Sequence, residues 1–251
     1  MRHLICDEIG TPYFKDLMHH IEIHKDIDDD LYLDSKYYPN ISTFFFTAGD
    51  IEKAFYFINK GISRYNNESS LVIEKCKMLI LLRNYLTAST ILENIDEEES
   101  PYILFERVKL AMLTKNPMEA KIMTEKILNT IENKESFFIQ LTFFFIINHM
   151  KERAFECWKV ASRHPQNTFD YRLAQVALLY ELGKYKEAHK ICRELYLRQP
   201  NNLVVLLYYG YTLFKRCQYN RVKKCIYHLK EIHPQNLDTL KLENSLKKIL
   251  R

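Results

Sequence analysis

The sequence predicts an all-α protein in which antiparallel helix pairs stack along the chain. Compact residues recur at a period of 34 residues, with one step of 32. An apolar-periodic segment long enough for three to four helical turns lies before each of these residues, and another runs through it. Five glycines and seven prolines in 251 residues are few for a sheet protein that needs many tight turns. The hydrophobic fraction, 47%, is enough for a sizeable core.

The recurring compact residues define the period. They are separated by 34, 32, 34, 34 and 34 residues, and they are Ala54, Ala88, Ala120, Ala154, Ala188 and Val222. A second compact series occupies position eight of each copy, and its members are Ser42, Cys76, Val108, Thr142, Val176 and Gly210. Small side chains at both positions let two helices approach closely. Because one such pair cannot bury its apolar face alone, neighbouring pairs must stack.

Six copies follow one another from residue 35 to residue 236. Turn formers separate several of them, such as "HPQN" at 164–167 and 233–236 and "QPNN" at 199–202. The predicted boundaries are 35–68, 69–100, 101–134, 135–168, 169–202 and 203–236. Residues 237–251 are predicted to form a capping helix after the sixth copy.

This pattern resembles the tetratricopeptide repeat family, in which W-x2-L-G-x2-Y is followed by A-x3-F and then by P. The first copy shows it as Tyr38-x-x-Ile41-Ser42-x-x-Phe45 followed by Ala54-x-x-x-Ile58. The resemblance implies a right-handed superhelical solenoid of antiparallel helix pairs. The third and fifth copies depart from it, and irregular packing is expected there because polar residues replace apolar ones at Arg107, Thr124, Arg172 and Gln175.

Residues 1–34 do not fit the repeat and carry nine acidic against three basic residues. A helix beginning at Thr11 and Pro12 is predicted there, followed by the acidic run "DIDDD". The segment is interpreted as a solvating N-terminal cap, with a functional arm as the alternative.

The family resemblance also implies a binding surface. In such arrays positions two, five, nine, twelve and thirteen of the first helices line a concave groove. The predicted groove residues are Lys77, Tyr102, Phe105, Lys109, Met112, Leu113, Ile139, Phe143, Ile146, Ile147, Tyr180 and Tyr211. Eight of the ten positions in the third and fourth copies are apolar, and an open apolar patch of that size is typical of a binding surface. The alternative is that superhelical winding or residues 1–34 cover the groove.

The groove chemistry indicates a class of partner. Family members that clamp a carboxylate use lysine, arginine and asparagine, but the thirty groove positions contain neither arginine nor asparagine. Lys77 and Lys109 share position nine of consecutive copies and form either a small basic spot or a solvated pair. The predicted function is a non-enzymatic adaptor or scaffold that binds a hydrophobic or amphipathic peptide of a protein partner. A dedicated chaperone, similar in binding mode to those of type III secretion translocators, is the alternative.

The C-terminal end is basic, with ten bases against three acids in residues 200–251 and a net charge of +4 for the chain. A candidate basic patch comprises Arg221, Lys223, Lys224, Lys247 and Lys248. It either contacts RNA or an acidic protein within a larger assembly or forms a solvated cap. Association of copies through the acidic N-terminus is a further alternative.

Catalysis, cofactors and a metal site are not predicted. His20, His24 and Asp28 have helical spacing, but Asp28 falls in a predicted turn and no fourth ligand is present. The six cysteines form no CxxC pair, which favours buried free thiols in a reducing compartment. The apolar window 137–150 is shorter than the roughly 20 residues of a spanning helix and is predicted to be a buried core helix. Membrane insertion is not predicted, and the expected location is the cytoplasm.

Overall fold

The predicted all-α class is confirmed by a computed structural model, which describes residues 34–66, 68–95, 100–162 and 168–250. This part of the chain contains thirteen α-helices and no strand. The helices are α1 Tyr37–Ala48, α2 Ile51–Arg64, α3 Ser69–Leu81, α4 Tyr85–Glu93, α5 Pro101–Leu113, α6 Pro117–Thr130, α7 Lys134–Ile147, α8 Lys151–Ala161, α9 Phe169–Glu181, α10 Tyr185–Arg198, α11 Leu203–Lys215, α12 Tyr219–Ile232 and α13 Leu237–Leu250. Residues 1–33 of the N-terminal cap predicted at 1–34, including His20, His24 and Asp28, lie outside the described residues.

The compact residues of the repeat lie at the helix contacts. All six members of the period-defining series are at most 4% exposed, and the six residues of the position-eight series are buried as well. A Cβ atom added to Gly210 would lie 2.8 Å from Cδ2 of Leu242. Compact side chains therefore permit the close helix approach that the period predicts.

Each first helix is joined to its second helix by a turn of the same conformation. The residue before the second helix's cap has a positive φ in all six pairs, between 58° and 92°. These residues are Gly49, Arg83, Lys115, His149, Gly183 and Cys217. Their left-handed conformation reverses the chain, and we call them the αL turn residues.

The described residues group into two compact units. The first comprises residues 34–46 and 50–134, and the second comprises residues 47–49 and 135–250. In the first, α3 packs against α2, α4 and α5, and α5 packs along α6. In the second, α9 packs against α8, α10 and α11, while α13 contacts both α11 and α12. The single helix α13 thus follows the sixth pair directly.

The third and fifth copies pack regularly, contrary to expectation. Arg107 Nη2 donates to the carbonyl oxygen of Leu92 at 2.6 Å, at the end of α4. Arg172 forms an ion pair with Glu194. Each guanidinium thus has a polar partner, and α5 packs closely along α6 and α9 along α10. The irregularity falls in the second copy, where α4 has 9 residues against 14 in α2.

The sequence predicts that the apolar window at 137–150 is a buried core helix and that the cysteines are buried free thiols, and the structure agrees with both predictions in part. Helix α7 is buried along most of its length, including Phe137, Leu141 and Phe145. None of the described helices is long and apolar enough to span a bilayer. Three of the five described thiols are buried, Cys157 is half-buried and Cys217 is exposed. Burial raises the pKa of Cys76 and of Cys225 to about 12, so these thiols stay protonated.

Candidate functional site

The two predicted groove lysines of the first unit are paired with glutamates. Lys77 Nζ lies 3.0 Å from Oε2 of Glu74, and Lys109 forms an ion pair with Glu106. The hydroxyl of Thr43 donates to the other Glu74 oxygen at 3.4 Å. Two glutamates cancel the charge of two lysines, so within the part of the chain described the pair forms no free basic spot.

Burial and the neighbouring glutamates shift the pKa values of the two lysines in opposite directions. Burial lowers the pKa of Lys109 even though Glu106 favours its charged form. Burial opposes the charge of Lys77 too, but Glu74 and Glu106 together outweigh it and raise the pKa of that lysine. Oε2 of Glu106 is buried without a hydrogen-bond partner. This buried carboxylate oxygen adds negative charge close to both lysines, so the surface does not suit an acidic partner residue.

The apolar groove positions of the third and fourth copies are largely closed to solvent. Four of the eight are buried, namely Phe105, Ile139, Phe143 and Ile146. Met112, Leu113 and Ile147 are half-buried, and Tyr102 is 72% exposed. The expected open apolar patch is thus absent at the four buried positions, whose large side chains are withdrawn from water as the hydrophobic effect favours.

Four tyrosines meet in the second unit, three of them on the first helices α9 and α11 and one, Tyr185, at the start of α10. The ring of Tyr180, at the end of α9, lies 5.3 Å from that of Tyr185, 6.0 Å from that of Tyr208 and 6.1 Å from that of Tyr211, measured between centroids. Tyr180 and Tyr211 are groove positions twelve and nine of consecutive copies. Because α9 packs against α11, the repeat brings them together. We call these four residues the tyrosine cluster.

The tyrosine cluster has a buried floor and an accessible upper part. Tyr208 is 2% exposed, whereas the other three tyrosines are half-buried. The hydroxyl of Tyr211 donates to the carbonyl oxygen of Asp238 at 3.0 Å and so ties α11 to α13. The tilted and edge-to-face ring arrangement is one that aromatic groups prefer. The cluster is therefore a preformed surface with fixed ring positions.

Charged groups of both signs surround the cluster. Lys215 Nζ lies 5.7 Å from the ring centroid of Tyr185. Lys151 Nζ donates to the carbonyl oxygen of Glu181 at 2.7 Å and lies 4.0 Å from its carboxylate. We call Lys151, Glu181 and Lys215 the charged rim. A ligand on the tyrosine rings would meet both positive and negative groups at the border.

The hydroxyls of Tyr180 and Tyr211 are neutral at physiological pH. Burial, with Tyr185 and Glu181 adding to it, raises the pKa of Tyr180 to about 12. Burial, Asp238 and Tyr180 raise the pKa of Tyr211 as well. Neutral hydroxyls combine apolar ring faces with hydrogen-bonding tips, which suits binding rather than proton transfer at pH 7. Among the residues that the structure places, no three His, Cys, Asp or Glu side chains are grouped to hold a metal ion.

The predicted basic patch divides into two parts. Arg221 donates to the Tyr209 hydroxyl at 2.6 Å and to Oε1 of Gln218 at 2.9 Å. Lys247 on α13 is paired with Glu243 at 3.0 Å. Lys223, Lys224 and Lys248 are exposed and form no ion pair within the described ranges. The unpaired charge is thus concentrated on α12.

Sequence reasoning missed three contributors to these surfaces. Glu74 and Glu106 precede their lysines by three residues in copies that are 32 residues apart, and this repeated Glu-x-x-Lys spacing was the available signal. Tyr208 lies beside two other tyrosines in "YYGY", a run that marks α11 as unusually aromatic.

No protein family model and no curated protein matches the sequence. Nineteen chains of solved structures are similar to it, including two tetratricopeptide repeat proteins. The crystal structure of YrrB, described as a TPR protein with an unusual peptide-binding site, aligns at 16% identity and a TM-score of 0.43, covering 74% of this chain and 97% of that one. A tetratricopeptide repeat protein from Parabacteroides merdae ATCC 43184 aligns at 14% identity and a TM-score of 0.52, covering 86% of both chains. With thirteen described helices packed in sequential pairs, this chain has the tetratricopeptide repeat fold.

Proposed function

We propose that the protein is a non-enzymatic adaptor that holds a peptide segment of a protein partner on the tyrosine cluster. The observation that carries this proposal is the packing of two half-buried rings, Tyr185 at 5.3 Å and Tyr211 at 6.1 Å, around the half-buried ring of Tyr180. Tyrosine offers a large, rigid and amphipathic contact area and is enriched among the residues that dominate binding energy. The buried ring of Tyr208 beneath supports them.

The chemistry of the cluster favours an apolar or amphipathic client segment. Ring faces contact apolar side chains, and the neutral hydroxyls hydrogen-bond to the client backbone. The charged rim favours a segment with charged residues beside its apolar part. Of the groove residues predicted from sequence, Tyr180 and Tyr211 belong to this proposed site. The exposed ring of Tyr102 is a separate contact point in the first unit, and the buried groove positions are assigned to the core.

A peptide selection experiment tests the proposal. A displayed library of random peptides is panned on the wild-type protein, and the affinity of selected peptides is measured by fluorescence polarisation. Tyr180→Ala and Tyr211→Ala are each expected to weaken binding by about 30-fold, as for a 2 kcal/mol hot spot. Tyr56→Ala, which removes an exposed tyrosine elsewhere, is the control. Undiminished affinity of the two cluster variants, folded by circular dichroism, would refute the site.

An adaptor and a dedicated chaperone would use the same surface. They differ in what happens to the client when the protein is missing, since a chaperone's client becomes insoluble and an adaptor's does not. Co-expression of an identified client with and without this protein separates the two roles. The cytoplasmic location stays a prediction of the sequence.

A further inference from the structure

The outer helices of the second unit carry an excess of positive charge. Helices α10 and α12 are the second helices of consecutive copies, and both pack against α11. Helix α10 has four bases and two acids, and α12 has four bases and one acid. One of the acids, Glu194, is already paired with Arg172. The exposed bases are Lys186, Lys190, Arg193 and Arg198 on α10 and Arg221, Lys223 and Lys224 on α12.

Three arginines converge on an aromatic stack between these helices. The rings of His189 and Tyr196, both on α10, stack on Tyr209 of α11 at 5.2 and 4.9 Å between centroids. Arg221 of α12 lies over the same ring at 5.9 Å and is fixed by two hydrogen bonds. Arg193 follows His189 by about one helical turn. The Nδ1 atom of His189 is hydrogen-bonded to the hydroxyl of Thr212 at 3.1 Å. Arg216 lies about one helical turn after Thr212.

The field at this stack is positive. Burial and the charges of Arg216, Arg221 and Arg193 lower the pKa of His189 to about 4. The imidazole is therefore neutral at pH 7. The hydroxyl of Thr212 donates to the Tyr209 carbonyl oxygen, so His189 Nδ1 donates to that hydroxyl. None of the three arginines has an ion-pair partner among the residues described here, so their charge remains available to an anion.

One aromatic ring on the same face is exposed. Tyr227 is 69% exposed and lies one turn beyond Lys223 and Lys224 on α12. Within the described part of the chain, its ring packs against no other aromatic ring. An accessible ring beside a row of cations is the combination with which proteins bind single strands, because bases stack on the ring while cations follow the phosphates.

We propose that the outer face of α10 and α12 binds single-stranded nucleic acid. Phosphates contact Arg193, Arg216 and Arg221 at the aromatic stack and Lys223 and Lys224 on α12, and a base stacks on Tyr227. An acidic protein segment would use the cations, but only a nucleic acid carries a flat base on every unit of its anionic chain, so a base is always available for the exposed ring and we favour a nucleic acid. This surface is separate from the tyrosine cluster.

Fluorescence anisotropy with a labelled 20-nucleotide single-stranded RNA tests the proposal. With about three to five phosphates neutralised, the logarithm of the association constant should fall with the logarithm of salt concentration with a slope of about −2 to −4. Tyr227→Ala should weaken binding by about 5- to 150-fold, the range expected for one stacked base. The double variant Lys223→Glu/Lys224→Glu should weaken binding and also reduce the salt slope.

Matched variants separate specific binding from general charge effects. Lys121→Glu/Lys126→Glu makes the same change in net charge on exposed positions of α6, and Tyr56→Ala removes an exposed tyrosine of α2. Both should retain RNA affinity. The proposal fails if the α6 control loses as much affinity as the α12 variant, if Tyr227→Ala has no effect, or if polyglutamate of equal charge competes as well as unlabelled RNA. The last result would identify an acidic protein as the partner class.

Discussion

Two glycines show how closely the helices of this array approach one another. A Cβ atom at Gly61 would lie 2.7 Å from Cγ and 2.8 Å from Cβ of Tyr38. A Cβ atom at Gly210 would be 2.8 Å from the Cδ2 methyl of Leu242. The two contacts differ in kind, because the Tyr38 Cβ is fixed to the backbone whereas a leucine methyl can rotate away. The same substitution should therefore have different effects at the two positions.

Gly61→Ala is expected to destabilise the protein by about 1–2 kcal/mol. Overpacking typically costs about 1–3 kcal/mol, and the better helix propensity of alanine offsets up to about 1 kcal/mol of it. Gly210→Ala should have the smaller effect because the Leu242 side chain can move. Urea denaturation of both variants provides the comparison. Equal losses, or a larger loss at Gly210, would contradict the argument.

The neutral His189 makes stability depend on pH. Its folded-state pKa, about 4, is below the ordinary value of 6.5, so the unfolded chain binds more protons between these values. The contribution of the neutral His189 to the free energy of unfolding is complete above pH 6.5, and it is lost as the pH falls towards 4. Because one pKa unit corresponds to about 1.4 kcal/mol, the free energy of unfolding should fall by at most about 3 kcal/mol over this pH range.

His189→Gln should flatten this pH dependence. The wild-type free energy of unfolding, measured by urea denaturation, should fall from pH 6.5 to pH 4 by more than that of the variant. His228→Gln is the matched control, since His228 is hydrogen-bonded to Asn201 on the exposed surface. Parallel curves for wild type and His189→Gln would show that this histidine does not carry the effect.

At the scale of the helices, the αL turn residues repeat more strictly than their side chains do. Glycine, which adopts this conformation readily, occupies two of the six turns. The other four turns hold arginine, lysine, histidine and cysteine, with φ between 58° and 62°. For such residues the left-handed region costs about 1–2 kcal/mol. The helix pairs on both sides therefore impose the turn on residues that disfavour it.

Lys115→Gly is expected to stabilise the first unit by about 0.5–1 kcal/mol. Removing the Cβ atom relieves the left-handed strain, and the greater flexibility of glycine in the unfolded chain offsets part of the gain. Lys115→Ala keeps the Cβ atom and should be close to neutral. Thermal unfolding monitored by circular dichroism compares the two variants, and a gain for alanine equal to that for glycine would exclude the backbone explanation.

The short helix α4 depends on a side chain from the next helix. The Arg107 guanidinium is a charged donor to a carbonyl at the C-terminal end of α4, where acceptors lack helical partners. Arg107→Met should cost about 1–2 kcal/mol because the carbonyl loses its partner. Arg172→Met is the control, since its partner Glu194 is half exposed and surface pairs contribute little. Hydrogen exchange should show faster exchange along α4 in the first variant alone.

The helices were predictable because each copy repeats the same packing constraint. Residues such as Ala54 and Ala188 are compact for a geometric reason that any stacked pair shares. The tyrosine cluster and the ion pairs were harder to predict, because they depend on which side chains of different helices meet. The groove positions of the repeat predict that Tyr180 and Tyr211 lie on the same surface. They do not predict that Phe105 and Phe143 are buried. Burial is set by the surrounding array and not by the repeat itself.

At the scale of the whole molecule, the second unit presents two chemically different surfaces. The tyrosine cluster lies on α9, α11 and the first residue of α10, and its Tyr180 and Tyr211 hydroxyls are uncharged at pH 7, whereas the basic face is formed by the exposed bases of α10 and α12. Because substitutions in the cluster change no charge, they leave the field at the arginines unaltered. The two surfaces should therefore act independently.

Independent binding can be measured with the same two probes. Tyr211→Ala should leave the affinity for single-stranded RNA within about twofold of wild type, and Tyr227→Ala should leave peptide affinity equally unchanged. Such small differences are typical of sites that share no contact. Loss of both activities in either single variant would point to one continuous surface instead.

The αL turn after α11 also provides a means of observing the client. Cys217 is exposed in that turn, two residues beyond Lys215 of the charged rim, whereas the thiols of Cys76, Cys192 and Cys225 are buried. A maleimide fluorophore should react there under native conditions while the buried thiols stay protected. Once Cys6 and the half-buried Cys157 are replaced by serine, Cys217 is an attachment point for a dye beside the tyrosine cluster, and client binding can be followed there without introducing a cysteine.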